Sequence, residues 1–482
     1  MTILLTGATG YIGRRLKHRL LNDGDVTLRL FVKQGQSVTQ REKVEVVEGN
    51  TFDRESLDKA LRGIDCAYYL IHSMGSDNYR ELDQKSARNF LDACIQNKVK
   101  RIIYLGGLGE KESASEHLLS RIETGEILSS RPESIQTLWF RAGVIIGSGS
   151  ASFEIIRNLV EKLPFMITPQ WVNTLCQPSA ERDVIEYLAQ ASKLNTEESC
   201  VIDIGSEMMS YKNLLLGYAR AVGLKRTLIP VPFFSPKLSS YWLTLMTPVP
   251  YSVASALIEG LKSEVLVKND HASTLFSTII PMRYDEAVKA AVEEIKHTQI
   301  ISRWSDASGE AWEVNHSDLA DAVFTDRQII PLEGIPEEKL FATICSVGGN
   351  NGWFGYELLW KVRGVIDKLF GGYGLSRGRR DPKILRLGDS VDFWKVVDFQ
   401  ENKRLLLFAQ MKLPGKAWLE FLIKENKLYQ TAYFYPHGLL GRLYWYSMFP
   451  FHLFIFRGMA KNLIRKAHNN LPHPKDAGSF RA

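Results

Sequence analysis

The run Thr6-Gly7-Ala8-Thr9-Gly10-Tyr11-Ile12-Gly13 constrains this chain more than any other segment. It stands between an apolar strand pattern at Thr2–Leu5 and an amphipathic helix pattern at Ile12–Leu21. In a strand–glycine–helix unit of this kind each glycine has its own task. The first makes a tight turn, the second lets the backbone approach a pyrophosphate, and the third lets helix and strand close up. Free amides and the positive end of the helix dipole then face the anion. The expected architecture is an α/β Rossmann domain, and the expected ligand is NAD or NADP.

The end of the second strand distinguishes the two dinucleotides. An acidic side chain there takes the ribose hydroxyls, whereas a basic one accommodates a 2′-phosphate. Here the strand Val26–Val32 runs into Lys33, with Arg14 and Arg15 at the start of the first helix, and no Asp or Glu stands in place. The pattern favours NADP, with NAD as the alternative and Lys33 as a solvated loop lysine in that case.

Short β-branched runs and amphipathic stretches go on alternating through the first half. Strands are expected at Val44–Glu48, Cys66–Ile71, Arg101–Leu105 and Ile135–Arg141, with helices at Glu55–Leu61, Asn78–Asn97 and His117–Ser129. Repeated units of this size imply a parallel sheet covered by helices on both faces. Beyond Glu181 the units become less regular and are expected to build a substrate lobe, including the Pro- and aromatic-rich stretch Leu228–Val267. The texture turns polar from Ser302 to Asp318. The expected division is a dinucleotide-binding domain over 1–300, a linker over 301–335 and a second domain over 336–475. In the second domain, strands are expected at Leu340–Val347, Ser390–Phe399, Arg404–Leu413, Ala417–Lys424 and Lys427–Tyr435. Short turns join the last four. With a helix at Gly352–Phe370 and a helical tail at Gly438–His468, this reads as an α+β domain with an antiparallel sheet and a long C-terminal helix.

Composition narrows the function classes. The net charge of +6 from 60 Lys+Arg against 54 Asp+Glu is too small for a nucleic-acid footprint over 482 residues. The five cysteines, Cys66, Cys94, Cys176, Cys200 and Cys345, show no paired or Cys/His spacing, so no disulfide framework or metal site is expected. The N-terminus lacks a basic stretch followed by an apolar one, which points to a cytoplasmic protein. Leu443–Phe456 is strongly apolar, but it is shorter than the ~20 residues of a membrane span and contains Pro450. A buried or interfacial segment is expected, with peripheral membrane contact.

TGATGYIG, EGNTFD, AYYLIHSM, RIIYLGGLG and RAGVIIGSGSASFE resemble the extended and atypical branch of the short-chain dehydrogenase/reductase superfamily. Within it the chain is most similar to bacterial nucleoside-diphosphate-sugar epimerase-like proteins, related to the NADPH-binding accessory subunit of respiratory complex I. The likeness covers about Met1 to Lys296. From about Leu340 onward the chain resembles the domain that often follows in such proteins, with a strand–helix order similar to the START-like, helix-grip fold. The resemblance assigns cofactor contacts to Gly7, Thr9, Gly10, Tyr11, Ile12 and Gly13; Arg14 and Lys33 are directed toward a 2′-phosphate by the residues at the end of the second strand instead. It places Asn50 and Thr51 beside the adenine, where an Asp is usual. Leu70, Ile71 and His72 run under the ribose and nicotinamide, and Gly143 and Val144 follow the sixth strand.

Catalysis is where the chain departs from its relatives. They use a Tyr-x-x-x-Lys pair and a Ser at the end of the fifth strand, the Tyr relaying a proton. Here that strand ends Leu105-Gly106-Gly107-Leu108-Gly109, without a serine. His117 and Arg121, four apart on one helix face, are the candidate stand-ins; a solvated His/Arg pair is the alternative. His72 and Tyr104 are further titratable neighbours. The expected function is an NADP-dependent oxidoreductase or epimerase-like enzyme acting on an apolar or isoprenoid-like substrate. The competing reading is a non-catalytic NADP-binding sensor or assembly factor, linked to a respiratory or membrane complex. In the second domain, Trp353, Trp360, Trp394, Trp418, Tyr433, Tyr435, Tyr444, Trp445 and Phe449 suit either core packing or an apolar ligand cavity. Gly371–Gly374 and Arg377–Arg380 read as a basic loop, solvated or facing an anionic headgroup.

Overall fold

The computed structural model describes residues 1–33, 43–72, 78–231, 247, 255, 258–260, 263–297, 301–302, 322–369 and 372–469. It divides into two compact units, Met1–Ser308 and Gly309–Ala482.

The first unit is a parallel sheet of seven strands: β1 Thr2–Thr6, β2 Thr27–Val32, β3 Val44–Glu48, β4 Cys66–Tyr69, β5 Arg101–Gly107, β6 Gln136–Ala142 and β7 Cys200–Ile204. Their spatial order is β7-β6-β5-β4-β1-β2-β3, and the order reverses beside β1. That reversal point is where open α/β sheets bind ligands, outside the carboxyl ends of the strands. Both sheet faces are apolar. Leu5, Leu16, Leu20, Leu28 and Ile103 pack on one, and Leu4, Leu57, Phe90, Ile102 and Tyr104 on the other. The helices that cover them include α1 Tyr11–Asn22, α2 Arg54–Leu61, α3 Tyr79–Gln96 and α4 Glu116–Leu128. A further apolar cluster joins α5 Ala151–Lys162, α6 Tyr211–Ala221 and α7 Tyr284–Lys296 through Phe153, Tyr218 and Val288. Of the expected lobe segment Leu228–Val267, Thr227–Pro230 pairs in parallel with Phe165–Thr168, while most of 232–262 lies outside the described residues.

The second unit is a six-stranded antiparallel sheet: β8 Phe324–Pro331, β9 Ser390–Val391, β10 Trp394–Gln400, β11 Arg404–Ala409, β12 Gly415–Lys424 and β13 Lys427–Pro436, in the order β8-β13-β12-β11-β10-β9. With it come α8 Glu337–Ile344, α9 Glu357–Leu369 and the 32-residue α10 Gly438–Asn469. Three expectations are corrected here. β8 lies inside the range read as linker, pairing with β13 along its whole length. Its side chains are mostly half-buried or exposed, so it lacks the apolar alternation that would have marked it. Leu340–Val347 is mostly helix, begun by Pro336 with Glu337 and Glu338 in the first turn, a helix-start signal that outweighs a short apolar run. Ser390–Phe399 is two strands, because Asp392 adopts a φ of 55° and accepts from the Trp353 indole (2.8 Å) and the Gly349 amide (3.0 Å).

Trp353, Trp360, Trp394 and Trp418 are buried, whereas Phe449 is exposed. Trp353, Trp360, Phe393 and Trp394 lie 5.3–6.4 Å apart, ring centre to ring centre. The basic loop is structural. Arg380 pairs with Asp389 at 3.0 Å, both buried, and Arg379 donates to the carbonyls of Cys345 (2.6 Å), Val347 and Asp381 (2.6 Å). Gly371 and the Arg377 side chain lie outside the described residues.

His452 of α10 is half-buried between Trp445 and Phe456, edge-on to both, and its enclosed Nδ1 has no hydrogen-bond partner among the described residues. Burial lowers its pKa to about 4. The unfolded chain takes this proton near 6.5, so the folded state keeps its full advantage above that pH and loses it as the pH falls toward 4. His452→Phe is expected to remove that acid-side loss, seen as a difference in thermal midpoint from wild type that grows between pH 6.5 and 4.

Candidate active site

The glycine loop has the geometry its spacing implied. Gly7 has a φ of 68°, and a side chain there would meet the Leu70 carbonyl at 2.4 Å. At Gly13 a side chain would meet the Gly7 carbonyl at 2.1 Å. The loop closes on itself through the Gly10 amide donating to the Gly7 carbonyl (2.9 Å). α1 starts from Gly10 with no side-chain cap and no acidic residue in its first turn, so the first amides of the helix remain for an anion. These residues fit the pyrophosphate of a dinucleotide. Thr9 offers its carbonyl to Arg14 Nε (2.9 Å), which ties that guanidinium to the loop, and Lys33 is exposed at the end of β2.

Other expected cofactor residues divide by what their side chains do. Ile12 packs into the core beneath the loop. Tyr11 turns its ring inward under Arg15 (5.0 Å), leaving only its backbone at the loop. Arg15 is a correction. Rather than serving a 2′-phosphate, it is buried, donating to Glu181 (2.8 Å), Glu294 (3.4 Å) and the Ser148 carbonyl (2.7 Å). Asn50 is exposed, its side chain capping the Phe52 amide (3.1 Å), whereas the buried Thr51 hydroxyl accepts from Ser86 (2.8 Å). Leu70 is held by its amide to the Thr6 hydroxyl (3.1 Å), and Ile71 packs against the neighbouring core.

Past the carboxyl end of the sheet lies a cavity of about 250 Å³, near the lower end of the ~300–1,000 Å³ usual for ligand pockets. Gly107, Gly143 and Val144 form part of its wall, and α5 and the residues after it supply Ile155, Leu159, Leu163 and Met166. Its polar side chains include His117 and Arg121, both from α4. Both candidate catalytic residues therefore face the same space, off one helix whose N-cap is Ser115. A side chain at Gly107 would meet the Leu118 methyl at 2.5 Å; an α4 leucine occupies the room a serine would need. Tyr104 is directed elsewhere. Its hydroxyl donates to the Arg121 carbonyl (2.9 Å), and burial pushes its pKa up to about 12.

His117 is backed by a chain of polar groups that the sequence reading did not assemble. Its Nδ1 lies 2.9 Å from His72 Nε2, and His72 Nδ1 lies 2.6 Å from the buried carboxylate of Asp83 on α3. Ser120 of α4 donates to that same carboxylate oxygen (3.0 Å). A carboxylate only accepts, so His72 donates at Nδ1. A neutral His72 must then accept at Nε2 from His117, leaving the His117 Nε2 lone pair without a partner among the described residues. A cationic His72 reverses that contact, and His117 Nε2 becomes a donor. Burial, together with the nearby His72 and Arg121 charges, lowers the His117 pKa to about 3. Its ring is therefore neutral at ordinary pH. Arg121 donates to the Leu105 carbonyl (2.8 Å), which holds the guanidinium at the end of β5. One signal for Asp83 was readable: an acid among the buried positions Asp83, Ser86, Ala87 and Phe90 of α3, where charge is rare unless paired.

Among the described residues no cluster of His, Cys, Asp or Glu is arranged to hold a metal, and no helix is long and apolar enough to cross a membrane.

Comparison with known proteins agrees with this layout. A profile of the NAD(P)H-binding family matches residues 7–130, and one described as protein of unknown function (DUF2867) matches residues 319–459. A curated (4-alkanoyl-5-oxo-2,5-dihydrofuran-3-yl)methyl phosphate reductase of Streptomyces griseus is 32% identical over 120 residues, 25% of this chain and 39% of that protein. The chain thus spans well under half of that relative's length. A nucleoside-diphosphate-sugar epimerase from Staphylococcus aureus superposes with a TM-score of 0.50 at 17% identity, covering 60% of this chain and 100% of that one. A Citrobacter triphenylmethane reductase complexed with NADP(H) gives a TM-score of 0.48 at 19% identity, with 60% and 100% covered. The N-terminal domain is an NAD(P)H-binding Rossmann domain, and a DUF2867 domain follows it.

Proposed function

We propose that this chain is an NADP(H)-dependent reductase of an apolar carbonyl compound, with His117 as the proton donor. The contact between His117 and His72, backed by Asp83 and opening on an apolar cavity, carries this reading. A bound dinucleotide supplies a hydride to the carbonyl carbon. The proton for the oxygen comes from His117 Nε2, while His117 Nδ1 takes one from His72 Nε2 and His72 keeps its Nδ1 proton on Asp83. One hydride and one proton are consumed, and the charge lost is that of His72. Leucine and isoleucine side chains around the cavity favour a substrate with an apolar chain, in keeping with the alkanoyl group in the name of the Streptomyces relative. An isoprenoid-like substrate fits the same lining.

The test is NADPH consumption with a panel of alkyl and isoprenoid aldehydes and ketones. Turnover with chain-bearing carbonyls supports the reading; tight NADPH binding without oxidation by any of them overturns it. That outcome would support the sensor or assembly reading, which the leucine standing in the serine's place favours.

Arg14 and Lys33 are proposed to favour NADP over NAD through the 2′-phosphate. The Arg14→Ala, Lys33→Ala double variant is expected to bind NADPH about 100-fold more weakly, each lost charged contact being worth roughly 1.5 kcal/mol. NADH binding should stay within about twofold, and fluorescence titration of both cofactors separates the cases.

A further inference from the structure

The second unit exposes an apolar surface that its core does not use. On α9, Leu358, Val362, Val365, Ile366 and Leu369 recur every three or four residues and all face solvent, Leu358 at 72% exposure. On the first half of α10, Leu439, Leu440, Leu443, Tyr446, Phe451 and Phe454 do the same, Leu440 at 74%. The two helices are neighbours running in opposite directions. Tyr356, just before α9, packs over Gly458, Trp360 meets Phe456 edge-on at 6.3 Å, and Arg363 lies 6.0 Å from the Tyr444 ring. Two adjacent helices with solvent-facing apolar stripes exceed the scattered exposed leucines of an ordinary surface.

The charges at its border decide what it fits. α10 carries Arg442, Arg457, Lys461, Arg465 and Lys466, all exposed, and contains no Asp or Glu. On α9, Lys361 is exposed while Asp367 is buried and accepts from the Gly374 amide (2.8 Å). The one exposed acid of α9, Glu357, already accepts from the Trp353 amide (2.7 Å), so a second copy of this surface would set the cations of α10 largely against one another. An anionic bilayer offers both an apolar layer and phosphates. Apolar faces bordered by Lys and Arg are how helices lie in a membrane interface.

We propose that α9 and the first half of α10 form a peripheral docking surface for anionic lipid bilayers, resting on the membrane without crossing it. The exposed leucines and phenylalanines enter the acyl boundary, and Arg442, Arg457 and Lys461 meet the phosphates.

Flotation of the full chain with vesicles tests this. The protein is expected to rise with vesicles of phosphatidylglycerol and phosphatidylcholine, and far less with phosphatidylcholine alone or at high salt. Leu440→Glu with Phe454→Glu, both on exposed positions, should abolish flotation while leaving circular dichroism and NADPH binding unchanged. Arg457→Gln with Lys461→Gln should weaken the partition about fivefold for each charge removed. Wild-type protein that stays down with both vesicle types overturns the proposal. So does concentration-dependent dimerisation that the two glutamates abolish while neither protein floats.

Discussion

His117→Ala is expected to lower kcat for the proposed carbonyl reduction by about 10²–10⁴, the usual worth of a positioned proton donor, while the dissociation constant for NADPH stays within about twofold. The separation follows from the structure. His117 lines the apolar cavity, and its hydrogen bond runs to His72 on the side chain's far edge; the glycine loop and the start of α1 owe nothing to it. Steady-state kinetics beside cofactor titration makes the check. Equal losses in both would mean that His117 holds up the fold, and an unchanged kcat would remove it from the chemistry. Asp83→Asn gives a second handle. An amide can present its NH₂ to His72 Nδ1 and so turn the tautomer around. Variant activity should then fall without loss of NADPH binding.

The second large effect falls on stability. Arg15→Ala should destabilise the N-terminal unit by about 3–5 kcal/mol, because it leaves buried partners of a broken ion pair behind. Glu181 then loses its guanidinium partner while Glu294 keeps only the Ser148 hydroxyl and Arg182, and Tyr11 loses the guanidinium over its ring. The loss should also depend on pH. Burial holds the Glu181 pKa up at about 7 even with Arg15 beside it, and without Arg15 it rises further. An acid raised in the folded state gives its full advantage below its unfolded value and loses it as the pH climbs through the folded one. Both proteins lose this advantage alike up to about pH 7, so denaturant melts should show the Arg15→Ala deficit growing above that pH, where only the variant keeps Glu181 protonated. A deficit that is flat there would mean the carboxylates find other partners.

The parallel-sheet half was legible because its central strands are buried on both faces and read as unbroken apolar runs, as at Ile3–Leu5 and Ile102–Leu105. The glycine loop was legible for a stronger reason. Gly7 and Gly13 leave no room for a side chain, so the spacing is a steric requirement visible in one dimension. What escaped was edge structure and contact. β8 sits at the edge of its sheet with few buried side chains, and the α8 run Leu340–Ile344 is apolar at a length where strand and helix look alike. Arg15 and Arg14 are adjacent in sequence yet face opposite environments, one into a carboxylate pair and one onto the loop. The Asp83–His72–His117 chain joins the end of β4 to two helices; a contact between residues 45 positions apart has no local signature.

His72 is about one-fifth exposed, whereas the carboxylate behind it is almost fully enclosed. Bulk water therefore touches the relay at its middle, and the cavity wall is its outlet. A donor that had to be recharged through the cavity would need water to enter there between turnovers, competing with an apolar occupant. In the proposed relay, recharging would come from behind: the chamber could stay dry for as long as substrate held it, and the supply of protons would not be tied to the release of product.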